Sequence, residues 1–541
     1  MSDTNWNGSG NWDTGLVPSG ITDDVIIGSP SPTTLNINVN LNSLMVGADG
    51  VVNFNSSRNL DFGGTATTTL MNLGTINVAN NSDLQLQGMA INSGTINVET
   101  LGNPTDLEVD GSTVLTGGGT VNLFGPSTIS RIVGVNEPVL TIANHTIQGT
   151  GNIGFNTLSV TLSADSTIDA NVTDQVLFVD PNTNGFTNNG MMQASGGGVL
   201  TLTGFGGGTY DNENGTIRAL ASSEVRIDNE AAINGGTIAT LDDGLISIPT
   251  SRNVFLSDLN LDANVVINNN SDFGVEGTIT NTGTITALSG GNPTGIEVQA
   301  DGATFNGGGT IVLANSTQAR IDGFAPIVIE GGTLTGIGGV FVESTFDGGT
   351  VAAGASIGTL TFNSPTRFLN DTTIEFELSS ANATPGTTSD RILINSELNL
   401  DDPTLDSGLE IQMATLDGNG DPGPLADFDP NDSYSFVVAI ADQINGFSAS
   451  DVSIDTSEFQ NSFTGVFSVT IGPFGSDQAI YVKYGQFALG DINQDGSVNL
   501  LDVAPFVDAI SNGTPTNEGD FNCDGTVNLL DVGPFVSLLA G

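Results

Sequence analysis

Two copies of one pattern of oxygen-bearing side chains lie near the end of the chain. Counted from Asp491 and from Asp520, each copy has Asp, Asn, Asp, Asn and Asp at loop positions 1, 3, 5, 9 and 12, with Gly at position 6. Calcium needs about six to eight oxygen ligands, and this spacing wraps one loop around one ion. Without the ion, the crowded aspartates of each loop repel one another. The pattern therefore predicts calcium binding, and a tail that is poorly folded in a chelator.

The chain that contains these loops is strongly acidic. The 541 residues carry 60 Asp and Glu against 9 Lys and Arg, a formal net charge of −51. Such a surface repels nucleic acid and anionic membranes, because both are bound through basic patches. Val, Ile, Thr and Phe recur in short alternating runs while helix formers are scarce, which predicts an all-β chain.

Upstream of the loops, a Gly-Thr-(Ile/Leu/Val) motif recurs with the period of a solenoid, about 17–26 residues where copies are consecutive. Each solenoid coil buries its aliphatic side chains only against its neighbouring coils. Glycine permits corners with positive φ, and Asn-rich turns can form ladders. We therefore predict a parallel β-solenoid, most consistent with a right-handed β-helix. The motif begins at Gly74, Gly94, Gly119, Gly215, Gly236, Gly283, Gly309, Gly332 and Gly349.

A block of several coils also appears twice. Residues 81–132 match residues 270–321 at an offset of about 189 positions. Because a copied block would also copy an active site, the duplication favours a scaffold over a unique catalytic centre.

These patterns predict four segments. The N-terminal segment contains Trp6 and Trp12, and we interpret it as a cap over the first coil, with a sugar-stacking site as the alternative. The segments are the cap at 1–30, solenoid repeats at 31–375, a C-terminal β-region at 376–487 and the tandem calcium loops at 488–541.

The tail resembles a type I dockerin domain, a duplicated calcium loop in which a helix follows each loop. The resemblance implies two calcium ions, with a cohesin-like or other surface protein as partner. The ligands it implies in the first loop are Asp491, Asn493, Asp495, Asn499 and Asp502, with the Ser497 carbonyl. Those it implies in the second loop are Asp520, Asn522, Asp524, Asn528 and Asp531, with the Thr526 carbonyl.

Two features of the tail depart from that family. Cohesin-binding dockerins often carry small polar residues at positions 10 and 11, where this chain has leucine pairs that can form an apolar contact patch. Pro505 and Pro534 lie where each helix would be under way, and we expect them to kink or shorten it. The four leucines are Leu500, Leu501, Leu529 and Leu530.

The remainder resembles passenger regions of autotransporter-like secreted β-solenoids. The resemblance rests on the glycine-rich coils, on residues 353–362 and on the strand from Glu375 to Glu377. It implies a secreted or cell-surface protein. No signal peptide is visible before Trp6, and no segment is apolar for long enough to span a membrane. Free calcium is scarce in the cytosol, so the loops also favour an extracellular or cell-surface location.

Two functions of different classes follow. The first is a non-catalytic scaffold or adhesin-like protein, docked onto a partner by its calcium-dependent tail. The alternative is a β-helix polysaccharide lyase or hydrolase delivered by a dockerin-like module. The scarcity of cations, Trp and Tyr favours the first.

The enzyme alternative singles out two Arg-Ile-Asp triplets. Arg226 and Asp228 share a strand face, as do Arg320 and Asp322. A lyase needs a base beside acids, although a surface ion pair is the simpler interpretation.

Four other titratable residues bear on function. Glu375 and Glu377 lie about 7 Å apart on one strand face, as a glycosidase carboxyl pair would. A solvated outer face is the simpler interpretation of that pair. His145 has no second histidine for a zinc site, and we expect it in a turn or at the coil surface. Cys523 is the only cysteine, so no intrachain disulfide can form.

Overall fold

A computed structural model describes residues 4–28, 31–126, 128–370, 372–400, 408–513, 516–522 and 524–540. Cys523 lies outside these described residues. The chain divides into two compact units, Met1–Gly274 and Val275–Gly541. Each unit is built mainly from short β-strands.

The first unit opens with a 3-10 helix at Ser9–Asn11. Its strands are β1 (Asp24–Ile27), β2 (Thr33–Leu35), β3 (Val39–Leu41), β4 (Ser43–Val46), β5 (Val51–Phe54), β6 (Asn59–Phe62), β7 (Thr68–Asn72), β8 (Thr75–Val78), β9 (Asp83–Asn92), β10 (Thr95–Glu99), β11 (Thr105–Thr116), β12 (Thr120–Phe124), β13 (Ser130–Val135), β14 (Val139–Ile142), β15 (Thr146–Gly149), β16 (Gly151–Gly154), β17 (Ser159–Leu162), β18 (Thr167–Ala170), β19 (Val176–Val179), β20 (Phe186–Asn188), β21 (Met191–Ala194), β22 (Val199–Thr203), β23 (Thr209–Asp211), β24 (Thr216–Ala219), β25 (Glu224–Asp228), β26 (Ala232–Asn234), β27 (Thr237–Thr240), β28 (Leu245–Ile248), β29 (Asn253–Asp262) and β30 (Asn264–Asn268). Strand β31 (Asp272–Asn281) includes the point of division.

These strands form the predicted parallel solenoid. Each pairs in parallel and in register with the strand one coil away, as β10 does with β8 and with β12. The third residue of each Gly-Thr-Ile motif joins one column of fully buried side chains at the core, because side chains alternate across the pleat. Members of this column are Ile76, Ile96, Val121, Ile147, Ile168, Met192, Ile217 and Ile238.

The motif glycines are required mainly for close approach of the backbone. A Cβ on Gly94 would lie 2.1 Å from the Gly74 carbonyl oxygen, and one on Gly119 would lie 2.4 Å from that of Gly94. The same Gly74 oxygen accepts the N–H of Thr95 at 2.9 Å. Glycine does adopt positive φ at other corners, as predicted, for example 77° at Gly118 and 78° at Gly349.

An asparagine ladder connects successive coils, but it lies on the strands and not in the turns where we predicted it. In the outward ladder each side-chain amide donates to the side-chain oxygen one coil before it, at 2.7–2.9 Å. A buried pair runs in the opposite direction, since Asn72 Nδ2 donates to Asn92 Oδ1, one coil after it, at 2.7 Å. The outward ladder contains Asn53, Asn77, Asn97, Asn122 and Gln148.

The N-terminal segment packs on itself and on β2. The Trp6 side chain is fully buried, and the Trp12 ring meets it edge-on at 4.8 Å between centroids. Trp6 Nε1 donates to the Pro18 carbonyl at 2.8 Å, and Asn5 forms a parallel bridge with Thr34. Because Trp6 has no exposed face, it cannot stack on a sugar.

The second unit contains parallel strands and, after them, an antiparallel sheet. In that sheet β49 lies between β46 and β48. Parallel pairing extends as far as β47. The strands are β32 (Thr284–Leu288), β33 (Thr294–Asn306), β34 (Thr310–Ala314), β35 (Ala319–Gly323), β36 (Ile327–Glu330), β37 (Thr333–Gly336), β38 (Gly339–Val340), β39 (Ser344–Asp347), β40 (Thr350–Ala353), β41 (Thr359–Phe362), β42 (Thr366–Leu369), β43 (Thr372–Leu378), β44 (Arg391–Asn399), β45 (Leu409–Thr415), β46 (Tyr434–Asn445), β47 (Val452–Asp455), β48 (Val466–Phe474) and β49 (Asp477–Gly485).

The tail is the helical part of the second unit. A 3-10 helix at Leu500–Asp502 leads into α1 (Val503–Asn512), and α2 (Val532–Ala540) follows the second loop. The predicted kink at the prolines is wrong, because Pro505 and Pro534 lie in the first turn of each helix, where a backbone N–H has no intrahelical acceptor.

The core of the tail repeats with the loops. Ile492 and Phe521 follow the first residue of each loop, and Phe506 and Phe535 hold matching places in the helices. The Phe506 and Phe535 rings lie 4.3 Å apart between centroids, and Phe521 lies 5.4 Å from Phe535. The two helices thus pack around a shared aromatic centre. Within the described ranges, no helix has the length and apolar character needed to cross a bilayer.

Candidate metal centre

The first loop is organised by two buried carboxylates. Asp491 Oδ1 and Oδ2 accept the N–H groups of Asp495 and Gly496, at 3.0 and 2.8 Å. Asp502 accepts the N–H groups of Asn493 and Asn499, at 3.0 and 2.9 Å. Both side chains are almost completely buried. These bonds tie the carboxylates at positions 1 and 12 to the backbone N–H groups of positions 3, 5, 6 and 9.

The second loop repeats this network. Asp520 accepts the N–H groups of Asp524 and Gly525, at 3.2 and 3.0 Å. Asp531, which is fully buried, accepts those of Asn522 and Asn528, at 2.9 and 2.8 Å. At position 6 of the two loops, Gly496 and Gly525 have φ values of 88° and 84°, which other residues rarely adopt.

Each loop also initiates its helix. The Asn499 side chain accepts the N–H of Leu501 at 2.8 Å, while Asp502 accepts that of Asn499, forming a capping box. Asn528 and Asp531 make the corresponding bonds. The position-7 carbonyls accept from side chains: Asn499 Nδ2 donates to Ser497 at 3.0 Å, and Asn528 Nδ2 to Thr526 at 3.4 Å.

Charge in the tail is unbalanced. No Lys, Arg or His follows Lys483 in the sequence. Hydrogen bonds from Thr526 and Asn522 lower the pKa of Asp524, so its carboxyl is ionised at neutral pH. A divalent cation is therefore suited to both loops.

The ligand chemistry fits a hard cation. Within the described ranges, no three Asp, Glu, His or Cys side chains converge into a metal site by themselves. Each loop instead offers a mixed set of carboxylate, side-chain amide and backbone carbonyl oxygens. Calcium prefers such all-oxygen sets, whereas zinc prefers His and Cys.

The four leucines of the tail face solvent. Leu500 and Leu529 are each 78% exposed, and Leu501 and Leu530 are nearly as exposed. Each pair directly precedes its position-12 aspartate. The predicted calcium ligands at position 12 and this apolar surface are thus adjacent in the sequence.

The two Arg-Ile-Asp triplets singled out by the enzyme alternative form ion pairs. Arg226 contacts Glu224 at 2.7 Å rather than Asp228, and Asp228 contacts Arg252 at 2.6 Å. Arg320 contacts Asp322 at 2.5 Å. These partially exposed pairs match the simpler interpretation.

Glu375 and Glu377 occupy the outer face of β43. The alternating residues Ile374, Phe376 and Leu378 are fully buried, so the two carboxyls point away from the core. Burial, followed by the charge of Glu375, raises the pKa of Glu377.

His145 lies in a turn, but the prediction of a coil-surface position is wrong. Its side chain is buried, and Nε2 lies 3.2 Å from Asn92 Nδ2, two coils away along the asparagine ladder. Burial lowers its pKa to about 4.

Sequence reasoning missed a group of carboxyls on the first unit. Asp83, Asp106 and Arg131 stand side by side on β9, β11 and β13, and Arg131 donates to both oxygens of Asp106 at 2.6–2.7 Å. Burial, then the charges of Asp106 and Asp61, raises the pKa of Asp83 to about 6. Burial also raises the pKa of Glu108. The available signal was the recurrence of acids at one position in successive coils.

Comparison with known proteins agrees with the geometry of the tail. Residues 489–533 match the family described as Dockerin type I domain, and no curated protein matches the chain. Type I dockerin domains bind calcium and imply cohesin-type partners, and proteins that carry them are typically extracellular or at the cell surface. The match confirms the resemblance predicted for the tail: a β-solenoid chain ends in a region similar to type I dockerin domains.

Proposed function

We propose that this protein is a secreted or cell-surface β-solenoid scaffold, adhesin-like in character, that docks through its tail onto a cohesin-type partner when calcium is bound. One observation carries this proposal: both loops hold buried carboxylates in the same hydrogen-bond network, with no basic residue after Lys483 to balance them. The resemblance to autotransporter passengers remains a prediction.

Two calcium ions, one for each loop, form part of the proposal. The ligands would be the side chains at positions 1, 3, 5, 9 and 12 and the carbonyls of Ser497 and Thr526. The buried position-12 aspartates, Asp502 and Asp531, also cap the helices, so ion binding and helix formation would be linked. When bound, calcium supplies positive charge at the centre of each loop.

The leucine pairs supply the proposed contact surface. Burying exposed leucine against an apolar partner surface is favourable by about 1.5–3 kcal/mol for each fully buried side chain. Leu500 and Leu529 are the most exposed of the four. Because they face solvent and contribute no oxygen ligand, their replacement should spare calcium binding.

The proposal is tested with the full chain and a panel of purified cohesin-type modules. A Leu500→Asp, Leu529→Asp variant should lose capture while its calcium titration stays unchanged. A matched control replaces Leu16 and Leu101, exposed leucines outside the tail. Capture retained by the tail variant would exclude the leucine surface.

One specific observation favours the enzyme alternative. In the duplicated block Gly295 stands in place of Asp106, and Arg320 pairs with Asp322. The Asp106 carboxyl beside Arg131 is therefore not copied, whereas Asp83 and Glu108 are matched by Asp272 and Glu297. A carboxyl with a raised pKa beside ionised acids is typical of glycosidase sites.

Incubation of the full chain with neutral and acidic polysaccharides tests that alternative. New reducing ends or unsaturated products, lost in Asp83→Asn or Glu108→Gln, would favour a hydrolase or lyase. Products lost instead in Arg226→Gln or Arg320→Gln would place the site at the predicted triplets. No product on any substrate would favour the scaffold.

A further inference from the structure

The only lysine of the chain lies beside the second loop. Lys483, on β49, donates a hydrogen bond from Nζ to the Asp520 carbonyl at 2.5 Å, and Nζ lies 4.0 Å from Asp520 Oδ2. The lysine and aspartate side chains are only 13% and 15% exposed. Asp520 is position 1 of the loop and a proposed calcium ligand. A fixed positive charge therefore stands next to one of the two proposed ions.

A second donor holds the same stretch of backbone. Thr470, on β48, donates from Oγ1 to the Phe521 carbonyl at 2.9 Å. The antiparallel sheet thus contacts the first two residues of the second loop with one charged and one neutral donor.

The first loop differs in this respect. Among the described contacts, Asp491 accepts only from Asp495, Gly496 and Gln494, all within its own loop. Two loops with nearly the same ligands and internal bonds therefore differ in one external charge.

That charge has a predictable effect on calcium. An ammonium group near a ligand oxygen repels a cation bound to that oxygen, and the repulsion is stronger where water is largely excluded. Calcium affinity in loops of this type follows the charge around the ion. The second loop should therefore bind calcium more weakly than the first.

We propose that Lys483 makes the second loop the weaker calcium site, so that the two loops fill in order, the first before the second. This inference rests on the proposed calcium binding of the tail and adds its regulation. Full helix pairing, and the apolar surface beside it, would then require the higher calcium concentration set by the second loop.

Calorimetric titration of the full chain with calcium chloride tests this proposal. An Asp502→Asn background disables the first loop and reports the second, and Asp531→Asn does the reverse. In the Asp502→Asn background, Lys483→Met should tighten calcium binding about tenfold. In the Asp531→Asn background, the same substitution should change affinity less than about twofold.

Two control variants separate charge from anchoring. Thr470→Val removes the neutral donor and should leave second-loop affinity within about twofold. Lys483→Arg keeps the charge and should keep the weaker affinity. Far-ultraviolet circular dichroism of each variant verifies that the sheet is folded.

The outcomes are distinguishable. Unchanged second-loop affinity in Lys483→Met, or equal tightening of both loops, overturns the inference while the proposed calcium binding stands. Equal effects of Thr470→Val and Lys483→Met also overturn it, because anchoring rather than charge would then be responsible. A wild-type chain that binds no calcium overturns the proposed function and this inference together.

Discussion

At the residue scale, the position-12 aspartates have two roles. Asp502 accepts two backbone N–H groups with its two carboxylate oxygens, and it is a proposed ligand. An asparagine can accept at only one of these oxygens and places an amide N–H against the other donor. The side chain therefore connects the loop, the ion and the helix that follows.

Replacing Asp502 by Asn should weaken calcium binding to the first loop by at least about a hundredfold, because a charged ligand and a buried hydrogen bond are both lost. Titration calorimetry should still detect the second loop. Asp508→Asn, an exposed aspartate on α1, is the matched control and should leave both sites intact. Unchanged stoichiometry in Asp502→Asn would contradict the assignment.

His145 gives a second prediction at this scale. Its pKa is lowered to about 4, whereas an unfolded histidine titrates near 6.5, so the unfolded chain binds more protons between these values. Stability contributed by neutral His145 is present above pH 6.5 and is lost as the pH falls towards 4, by about 3 kcal/mol.

Nuclear magnetic resonance of the only histidine ring measures that pKa directly. A value near 4 is expected, and one near 6.5 would contradict the buried position. Because other acids also titrate in this range, the stability difference is taken against His145→Gln, which should lose less stability between pH 6.5 and 4.

At the element scale, coil spacing is set by backbone contact. Successive motif glycines lie against each other's carbonyl groups, and those carbonyls accept the next threonine N–H. A side chain at this corner would push two coils apart and break that bond. Repeated glycine thus determines where each coil turns.

Gly94→Ala should destabilise the first unit by about 1–3 kcal/mol, because its Cβ would overlap the Gly74 carbonyl. Gly10→Ala is the control, since a Cβ there meets nothing within 4 Å. Chemical denaturation measures both variants. Equal free energies of unfolding for the two variants would show that the backbone at this corner can shift to accept a Cβ.

At the scale of the whole molecule, the tail and the solenoid depend on different forces. Solenoid strands are held by buried aliphatic columns and backbone pairing, which need no ion. The tail has a small aromatic core and two loops rich in negative charge. Removal of calcium should therefore affect the tail selectively.

Hydrogen–deuterium exchange in calcium and in EGTA should resolve this difference along the chain. Amides of α1 and α2 should exchange much faster in EGTA, because the caps at their N-termini depend on the loops. Amides of β8, β10 and β12 should be unchanged. Equal protection of the helices in both conditions would show that the tail folds without the ion.

Much of this architecture was predictable from the sequence because it is periodic. The Gly-Thr-Ile motif and the duplicated calcium loop both repeat residue types at fixed spacings. The solenoid and the loop pattern could therefore be predicted directly. Features that depend on contacts between residues distant in the sequence could not be predicted. Examples are the burial of His145 against Asn92, the pairing of Asp106 with Arg131, and the approach of Lys483 to Asp520. The prediction of proline kinks was wrong because it placed the start of each helix too early. A shift of one turn decides whether a helix tolerates proline.

Calcium-dependent docking is tested most directly by capture of a cohesin-type module on the immobilised full chain. The chain should bind at least one such module in calcium, release it in EGTA, and fail to bind it in the Leu500→Asp, Leu529→Asp variant. Capture that is unaffected by EGTA, or that persists in this variant, would contradict the account.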